Sequence, residues 1–191
     1  MKLILILMTT IFLAGCGVQS IPKAKNQVEA SLAEITNQYK RRADLIPNLV
    51  ETVKGYAKQE KETLTSVVEA RAKATSVNIN PENLNAQQIQ QFQKAQSGLS
   101  SALGRLMVVV EKYPDLKSNQ NFLQLQAQLE GTENRIAVAR QRYIEAIKLF
   151  NNEVSVPPTS WTNSMFYGYE KMPQWTVENA ADIEKTPNVG F

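Results

Sequence analysis

The residue with the clearest chemical role in this sequence is Cys16, which ends the segment Leu-Ala-Gly-Cys. It follows a short start containing Lys2 and an apolar stretch over residues 3–12, which is the layout of a secretory signal with a small-residue cleavage site. The ending matches the bacterial lipoprotein box, in which the cysteine receives a diacylglycerol and its amino group is often acylated after cleavage. We therefore expect a signal peptide over residues 1–15 and a lipidated Cys16.

A transmembrane anchor is the alternative interpretation of this apolar stretch. Crossing a bilayer takes about 20 apolar residues, and the stretch is too short for that, so lipidation is favoured. Two or three acyl chains such as palmitate, at about 0.8 kcal/mol per buried methylene, give stable anchoring. The expected location is the extracytoplasmic side of the cell envelope, with membrane lipid as the partner of Cys16.

The composition excludes several classes of enzyme. Histidine is absent and Cys16 is the only cysteine, so Ser-His-Asp and Cys-His catalysis are ruled out. Carboxylates are the only common metal ligands left after lipidation, and we expect no metal and no cofactor. A glycosidase-like carboxylate pair is the remaining enzymatic alternative, but no acidic pair stands out from ordinary helix-surface charge. The formal net charge of +3 gives no indication of nucleic acid as a partner.

Charged residues interrupt the apolar stripes of the predicted helices. Arg42 falls on a stripe one heptad before Leu49, and Glu133 and Arg140 interrupt a later stripe. Charged groups on a buried stripe are costly unless they are paired. We expect a polar layer in the core, with Glu133 or Glu130 opposite Arg42 and with Arg140 bonded to an acid or to carbonyl groups. The alternative for Arg42 is that it extends outward along its own methylene groups.

Long amphipathic segments must position these residues. Apolar residues recur at steps of three and four, the spacing of a helix with one buried face, over residues 25–76, 81–112 and 119–151. Pro47 lies inside the first segment, where an interior proline costs about 3 kcal/mol. We expect a kink or a break there, or a second segment capped by Asp44 with Pro47 in its first turn.

Capping residues and glycines give further detail on the predicted second and third helices. Asn80 or Asn85 can cap the second helix, and Ser118 or Asn119 can cap the third. The second helix also contains Gly98 and Gly104, each of which costs about 1 kcal/mol against alanine. We expect them to permit close approach of another backbone, the alternative being a weak, mobile turn.

The C-terminal residues form an aromatic cluster. A short fourth helix is predicted over residues 158–167, and six aromatic residues lie between 161 and the C-terminus: Trp161, Phe166, Tyr167, Tyr169, Trp175 and Phe191. A solvated tail rarely contains so many. One interpretation is that the segment packs back on the bundle and caps its core. The other is an exposed surface for a partner or the membrane interface, with these candidate residues: Trp161, Phe166, Tyr167 and Trp175.

Two longer blocks resemble the LemA family of bacterial envelope proteins: YKRRADLIPNLVETVKGYA over residues 39–57 and LEGTENRIAVARQRY over residues 129–143. The resemblance extends to the ending Pro-Asn-Val-Gly-Phe191 and covers nearly all of the chain after the signal. It implies a bundle of long antiparallel helices outside the membrane on an N-terminal anchor. It implies no enzymatic activity, cofactor or substrate, and the lipoprotein box departs from the transmembrane anchor typical of many members.

Together these observations predict an all-α protein, an elongated antiparallel bundle of three long helices plus a short C-terminal helix. The predicted divisions are a signal peptide over 1–15, a lipidated tether over 16–25 and a LemA-like bundle over 26–191. The expected function is that of a membrane-anchored, non-enzymatic interaction or scaffold module with an unidentified envelope protein as partner. The alternative is a receptor that binds a small molecule or peptide between helices.

Overall fold

Helices make up nearly all of the computed structural model, which describes residues 18–77, 79 and 85–175. In chain order they are α1 (Ser20–Tyr56), α2 (Lys61–Ser76), α3 (Ala86–Val110), α4 (Pro114–Lys117), α5 (Gln120–Ser155) and α6 (Thr159–Thr162), followed by a π-helical turn (Asn163–Tyr167). The described residues contain no strand. The predicted all-α bundle is confirmed.

The antiparallel pair of α1 and α5 is the frame of the bundle. Ser20 Oγ donates to Glu153 Oε2 at 2.7 Å near one end, and Asn119 Nδ2 donates to the hydroxyl of Tyr56 at 2.9 Å near the other. At 1.5 Å per residue, the 37 residues of α1 extend about 55 Å. We call the end at Ser20 the anchor end, after the anchor predicted from the sequence at Cys16, and the other end the distal end.

A hairpin of α2 and α3 covers the distal half of this pair. Helix α2 runs back along α1, so that Arg71 reaches the backbone of Ala43. Helix α3 then runs back along α2, and the side chain of Gln96 contacts the backbone of Ala74. None of the described helices is long and apolar enough to cross a bilayer.

The predicted first helix is divided, but not at Pro47. Helix α1 continues through Pro47, and the chain leaves helical geometry at Ala57, whose φ of −120° and ψ of 55° end the helix. The prediction of a break at Pro47 is therefore wrong, and the described residues form four helices of 16 residues or more rather than three. The physical reason is that Arg71 Nε donates at 2.7 Å to Ala43 O, the carbonyl that Pro47 leaves without a helical donor.

The first helix also starts earlier than predicted. It begins at Ser20, within the segment expected to be tether. Ile21 is fully buried in the core, and that burial favours helix over extended chain. Pro22 is tolerated because it lies in the first turn, where a backbone N–H has no helical acceptor. The predicted signal peptide and Cys16 lie outside the described residues.

Side-chain caps fix the starts of α3 and α5. Asn85 and Gln88 form a reciprocal capping box at α3. Asn119 Oδ1 accepts from the N–H groups of Asn121 and Phe122 at α5. The predicted capping roles of Asn85 and Asn119 are confirmed, whereas Asn80 lies outside the described residues.

The close backbone approach expected at the two glycines of α3 is wrong. A Cβ atom added at Gly98 or Gly104 would meet nothing within 4 Å. Both glycines are exposed, while Leu99, Leu103 and Leu106 turn the other face of α3 toward the core. The helix therefore presents its small residues to solvent rather than to a neighbouring backbone.

Across residues 18–77, 79 and 85–175, the buried apolar side chains form two clusters. The distal cluster is built on α1 to α5 around buried residues such as Leu49, Leu106 and Phe122. The anchor-side cluster is built mainly on α1 and α5 around residues such as Ile35 and Phe150. The α2–α3 hairpin covers the first cluster but little of the second, so another element has to cover the anchor side.

That element is the segment 168–175, which we call the covering segment. The side-chain amide of Asn151 on α5 bonds both backbone groups of Met172, at 2.8 and 2.9 Å. Tyr169 packs against Phe150, with ring centroids 6.1 Å apart, and Trp175 packs edge-on against Tyr143. The predicted short helix over 158–167 is present as α6 and the π-helical turn.

Candidate functional site

Arg42 is the centre of a polar layer between the two apolar clusters. Its side chain is 1% exposed. Nη1 donates to Glu133 Oε1 at 2.6 Å and to Ser100 Oγ at 2.9 Å. Nη2 donates to Gln96 Oε1 at 2.6 Å and to the Gln96 carbonyl at 3.2 Å. Its Nε atom is buried and has no hydrogen-bond partner among the described residues.

This layer connects the four long helices. Arg42 lies on α1, Gln96 on α3 and Glu133 on α5, and Gln96 Nε2 continues the network to Ala74 O on α2 at 3.2 Å. The Glu133 side chain is 47% exposed, so the layer opens to solvent on one side. Networks of this kind are better known for fixing helix register than for adding stability.

The other two predicted members of the layer have different positions. Glu130 accepts from Gln126 Nε2 at 2.9 Å on the surface of α5 and does not face Arg42. Arg140 is exposed; its Nη2 lies 3.5 Å from the Tyr39 hydroxyl, and its guanidinium lies 5.9 Å from the Trp175 ring. Among the described residues no acid forms an ion pair with Arg140. The structure thus brings Arg42 and Glu133 together and leaves Glu130 apart.

A cavity of about 320 Å³ lies beside the layer. Its walls combine guanidinium, amide and hydroxyl groups with aromatic faces. The lining residues are Tyr39, Arg42, Gln93, Gln96, Ser97, Ser100, Glu133, Arg140, Ile144 and Trp175. A few convergent polar groups on a partly apolar wall are typical of sites for small ligands. The lining contains two arginines, Arg42 and Arg140, and one carboxylate, Glu133. The excess of positive charge favours a ligand with an anionic group.

Gln96 and Ser100 belong to the layer but were not predicted as site residues. Gln96 occupies the stripe position between Phe92 and Leu99 on α3, at steps of four and three. A polar side chain at such a stripe position is the same signal that identified Arg42 on the first helix. Ser100 gives no such signal, because a serine facing solvent is ordinary.

A buried tyrosine lies on the anchor side of the layer. Tyr143 is fully buried, and its hydroxyl has no hydrogen-bond partner among the described residues. Burial raises the pKa of Tyr143 well above its ordinary value, because the phenolate would be poorly solvated there. Since it stays protonated at neutral pH, it adds no charge to the layer.

The described residues offer no metal centre. Across 18–77, 79 and 85–175, no three Cys, Asp or Glu side chains lie close enough together to hold an ion. The contacts of the polar layer are hydrogen bonds and one ion pair, built on the buried guanidinium of Arg42.

The four predicted partner-surface residues do not share one surface. Trp161 and Phe166 are 69% and 64% exposed. Tyr167 donates its hydroxyl to Val18 O at 2.8 Å, and Trp175 contacts Phe92 and Tyr143 in the core. Met165, which is 76% exposed, lies beside the exposed pair and was not predicted. Phe191 lies outside the described residues.

Comparison with known proteins identifies the family. A model of the LemA family matches residues 31–191. Protein LemA of Metamycoplasma hominis is 25% identical over 166 residues, covering 84% of this chain and 68% of that protein. Magnetosome protein MamQ 2 of Paramagnetospirillum magneticum is 32% identical over 88 residues, covering 46% of this chain and only 32% of the magnetosome protein. None of these names specifies a reaction. Because the family model spans most of the sequence, this chain belongs to the LemA family.

Proposed function

We propose that this protein is a membrane-anchored, non-enzymatic envelope protein whose helical bundle acts as an interaction or scaffold module. The LemA family match and the magnetosome relatives support a membrane-associated helical protein. The lipoprotein box supports lipidated Cys16 as the anchor. In this proposal the bundle supplies a rigid, elongated surface, and the lipid fixes it at the membrane.

The observation that carries this proposal is the short connection between Cys16 and the bundle. Helix α1 starts at Ser20, four residues after Cys16. A fully extended chain of four residues spans about 14 Å. A bundle joined to the bilayer by so short a link stays near the membrane surface, where its neighbours are other envelope proteins.

Crosslinking with mass spectrometry in intact cells tests this proposal. The wild-type chain is compared with Cys16→Ser, and Gly17→Ser serves as the matched control because it adds a hydroxyl at the next position. The wild type and the control are expected to pellet with membranes and to crosslink to the same envelope protein, and Cys16→Ser is expected to do neither. If Cys16→Ser still pelleted with membranes, the anchor would lie elsewhere. Crosslinks confined to the chain itself would contradict the interaction role.

A receptor role is the second candidate, and the cavity beside Arg42 favours it. The cavity combines a buried arginine whose Nε lacks a partner with Arg140, which no described acid neutralises. Such a site suits a small carboxylate or the carboxylate of a short peptide. The contact of Arg140 with the Trp175 face would hold its guanidinium at the entrance.

Thermal unfolding in the presence of small dicarboxylates and acidic tripeptides tests the receptor role. A ligand at 100 times its Kd stabilises the folded state by about 2.7 kcal/mol. Arg140→Met is expected to abolish the rise in Tm. Arg135→Met, which changes an exposed arginine on the same helix outside the cavity, is expected to keep it. An equal rise in both variants, or none with the wild type, would reject the cavity as a receptor site for such ligands.

A further inference from the structure

The turn after α5 exposes large apolar side chains. Trp161, Met165 and Phe166 are 69%, 76% and 64% exposed, and Val156 just before them is 53% exposed. Trp161 and Met165 are four residues apart in a helical turn, so they project from the same side. We call Trp161, Met165 and Phe166 the apolar turn. Large apolar side chains exposed close together in the sequence indicate a contact surface more strongly than single scattered ones do.

The backbone of the apolar turn is fixed from beneath. The buried side chain of Asn163 donates to Tyr169 O at 2.9 Å and accepts from Tyr169 N at 3.0 Å. Gly168, at a φ of +65°, donates its N–H to Asn163 O at 2.7 Å and ends the turn. The apolar turn is therefore held by hydrogen bonds on its inner side while its large side chains face outward.

The apolar turn lies at the anchor end of the bundle. Tyr167, directly after it, donates its hydroxyl to Val18 O at 2.8 Å. Val18 is only two residues after Cys16, a distance of about 7 Å in extended chain. Lipid attached at Cys16 would therefore hold the apolar turn next to the bilayer surface.

We propose that the apolar turn is a membrane contact, in which Trp161, Met165 and Phe166 enter the headgroup region of the bilayer beside the lipidated Cys16. The inference rests on the lipid anchor of the proposed function. Tryptophan suits this depth because its ring is apolar and its N–H can bond to headgroups or water. Because the lipid anchor keeps the apolar turn at a high effective concentration near the bilayer, a small apolar surface is sufficient for its insertion.

A bilayer fits this surface better than a second copy of the chain or another protein. Three exposed side chains on one short turn are few for a stable protein interface, which takes about 800 Å² from each partner. The lipid at Cys16, in contrast, already holds this end of the molecule at a bilayer. The apolar turn therefore does not have to supply the free energy of membrane association by itself. The contact would also orient the bundle, since the lipid and the turn give two points of attachment.

The two tryptophans of the chain provide a direct test. The ring of Trp175 packs on Tyr143, and the guanidinium of Arg140 lies over the same ring. Arg140 also contacts the hydroxyl of Tyr39 on α1. Tyr39 is 19 residues along α1 from Ser20, which is about 28 Å at 1.5 Å per residue. Trp175 therefore lies about that far along the bundle from the anchor end. Trp161 reports on the apolar turn, and Trp175 is a built-in control far from the membrane.

The experiment uses the lipidated full chain in phosphatidylcholine vesicles with or without brominated acyl chains, which quench nearby tryptophan. Trp175→Phe leaves Trp161 as the sole reporter, and Trp161→Phe leaves Trp175. We expect loss of Trp161 emission in brominated vesicles and unchanged Trp175 emission. The wild-type spectrum minus that of Trp161→Phe gives the Trp161 signal even if Trp175→Phe fails to fold.

Flotation of the same vesicles separates the two proposals. If the chain floats with vesicles and Trp161 is not quenched, the membrane contact is overturned while the anchor stands. Equal quenching of both tryptophans also overturns it, because the bundle would then lie along the bilayer. A chain that does not float overturns the anchor, and the membrane contact with it.

Discussion

Arg71 Nε on α2 donates a 2.7 Å hydrogen bond to the carbonyl oxygen of Ala43 on α1. In a regular helix the N–H four residues later would fill this role, and that residue is Pro47, which has none. Helix α1 thus keeps its helical geometry across the proline with a donor supplied by its neighbour. The proline and the arginine form one structural unit across two helices.

Arg71→Met is expected to destabilise the fold by about 1.5–3 kcal/mol, the range for a hydrogen bond from a charged donor. In a Pro47→Ala background the same change is expected to cost about 1 kcal/mol less, because the introduced alanine would supply its own backbone N–H to Ala43 O. Urea unfolding of the four chains measures both costs. Arg41→Met, at an exposed position of α1, is the control. Equal costs in the two backgrounds would show that Arg71 does not compensate for the proline.

The pair of Arg42 and Glu133 is expected to be energetically coupled. Glu133→Gln removes the charge that faces a fully buried guanidinium, and because Glu133 is half exposed we expect a cost of about 1–3 kcal/mol rather than the full cost of a buried pair. In an Arg42→Met background the cost should largely disappear. Glu130→Gln is the matched control, three residues earlier on α5 and without contact to Arg42. A cycle without coupling would argue against the pair.

Tyr143→Phe is expected to leave stability at pH 7 unchanged or raise it by up to about 1 kcal/mol, because it removes a buried hydroxyl without a partner among the described residues. Burial raises the pKa of Tyr143 in the folded chain above the unfolded value of 10.0. The folded state therefore holds the proton of Tyr143 more tightly than the unfolded state does. The contribution of this group to the free energy of unfolding is fully present below pH 10 and is lost as the pH rises above it. Denaturation at pH 8 and pH 10.5 should show the advantage of Tyr143→Phe growing with pH. An advantage independent of pH would contradict this account.

Gly98→Ala and Gly104→Ala are each expected to stabilise the protein by about 0.5–1 kcal/mol. Each added methyl group meets nothing within 4 Å, and alanine in a helix interior loses less backbone entropy than glycine. Thermal unfolding measures the gain, and the two changes should be additive because the sites do not touch. Destabilisation by either alanine would indicate that these positions are packed in the protein.

Local patterns in the sequence were sufficient for the helices and for part of the layer. Periodicity predicts an all-α bundle, and the stripe positions of Arg42 and Glu133 predict charges that must be satisfied inside it. The path of the chain near Pro47 was not predictable, because the compensating donor lies 24 residues later on another helix. The positions of Gly98 and Gly104, in contrast, could have been predicted, because both lie off the stripe of Leu99, Leu103 and Leu106 that faces the core.

The covering segment has a consequence for the order in which this molecule is completed. The anchor-side cluster is formed mainly by α1 and α5, but its exposed side is closed by Tyr169, Met172 and Trp175. These residues leave the ribosome after every helix they cover. The distal half already has all its helices once α5 is synthesised, and the half at the end where α1 starts closes only when residue 175 has emerged. The last part of the core to be covered is therefore the one beside the start of α1, and a chain truncated before residue 168 would keep its distal core and expose its anchor-side core.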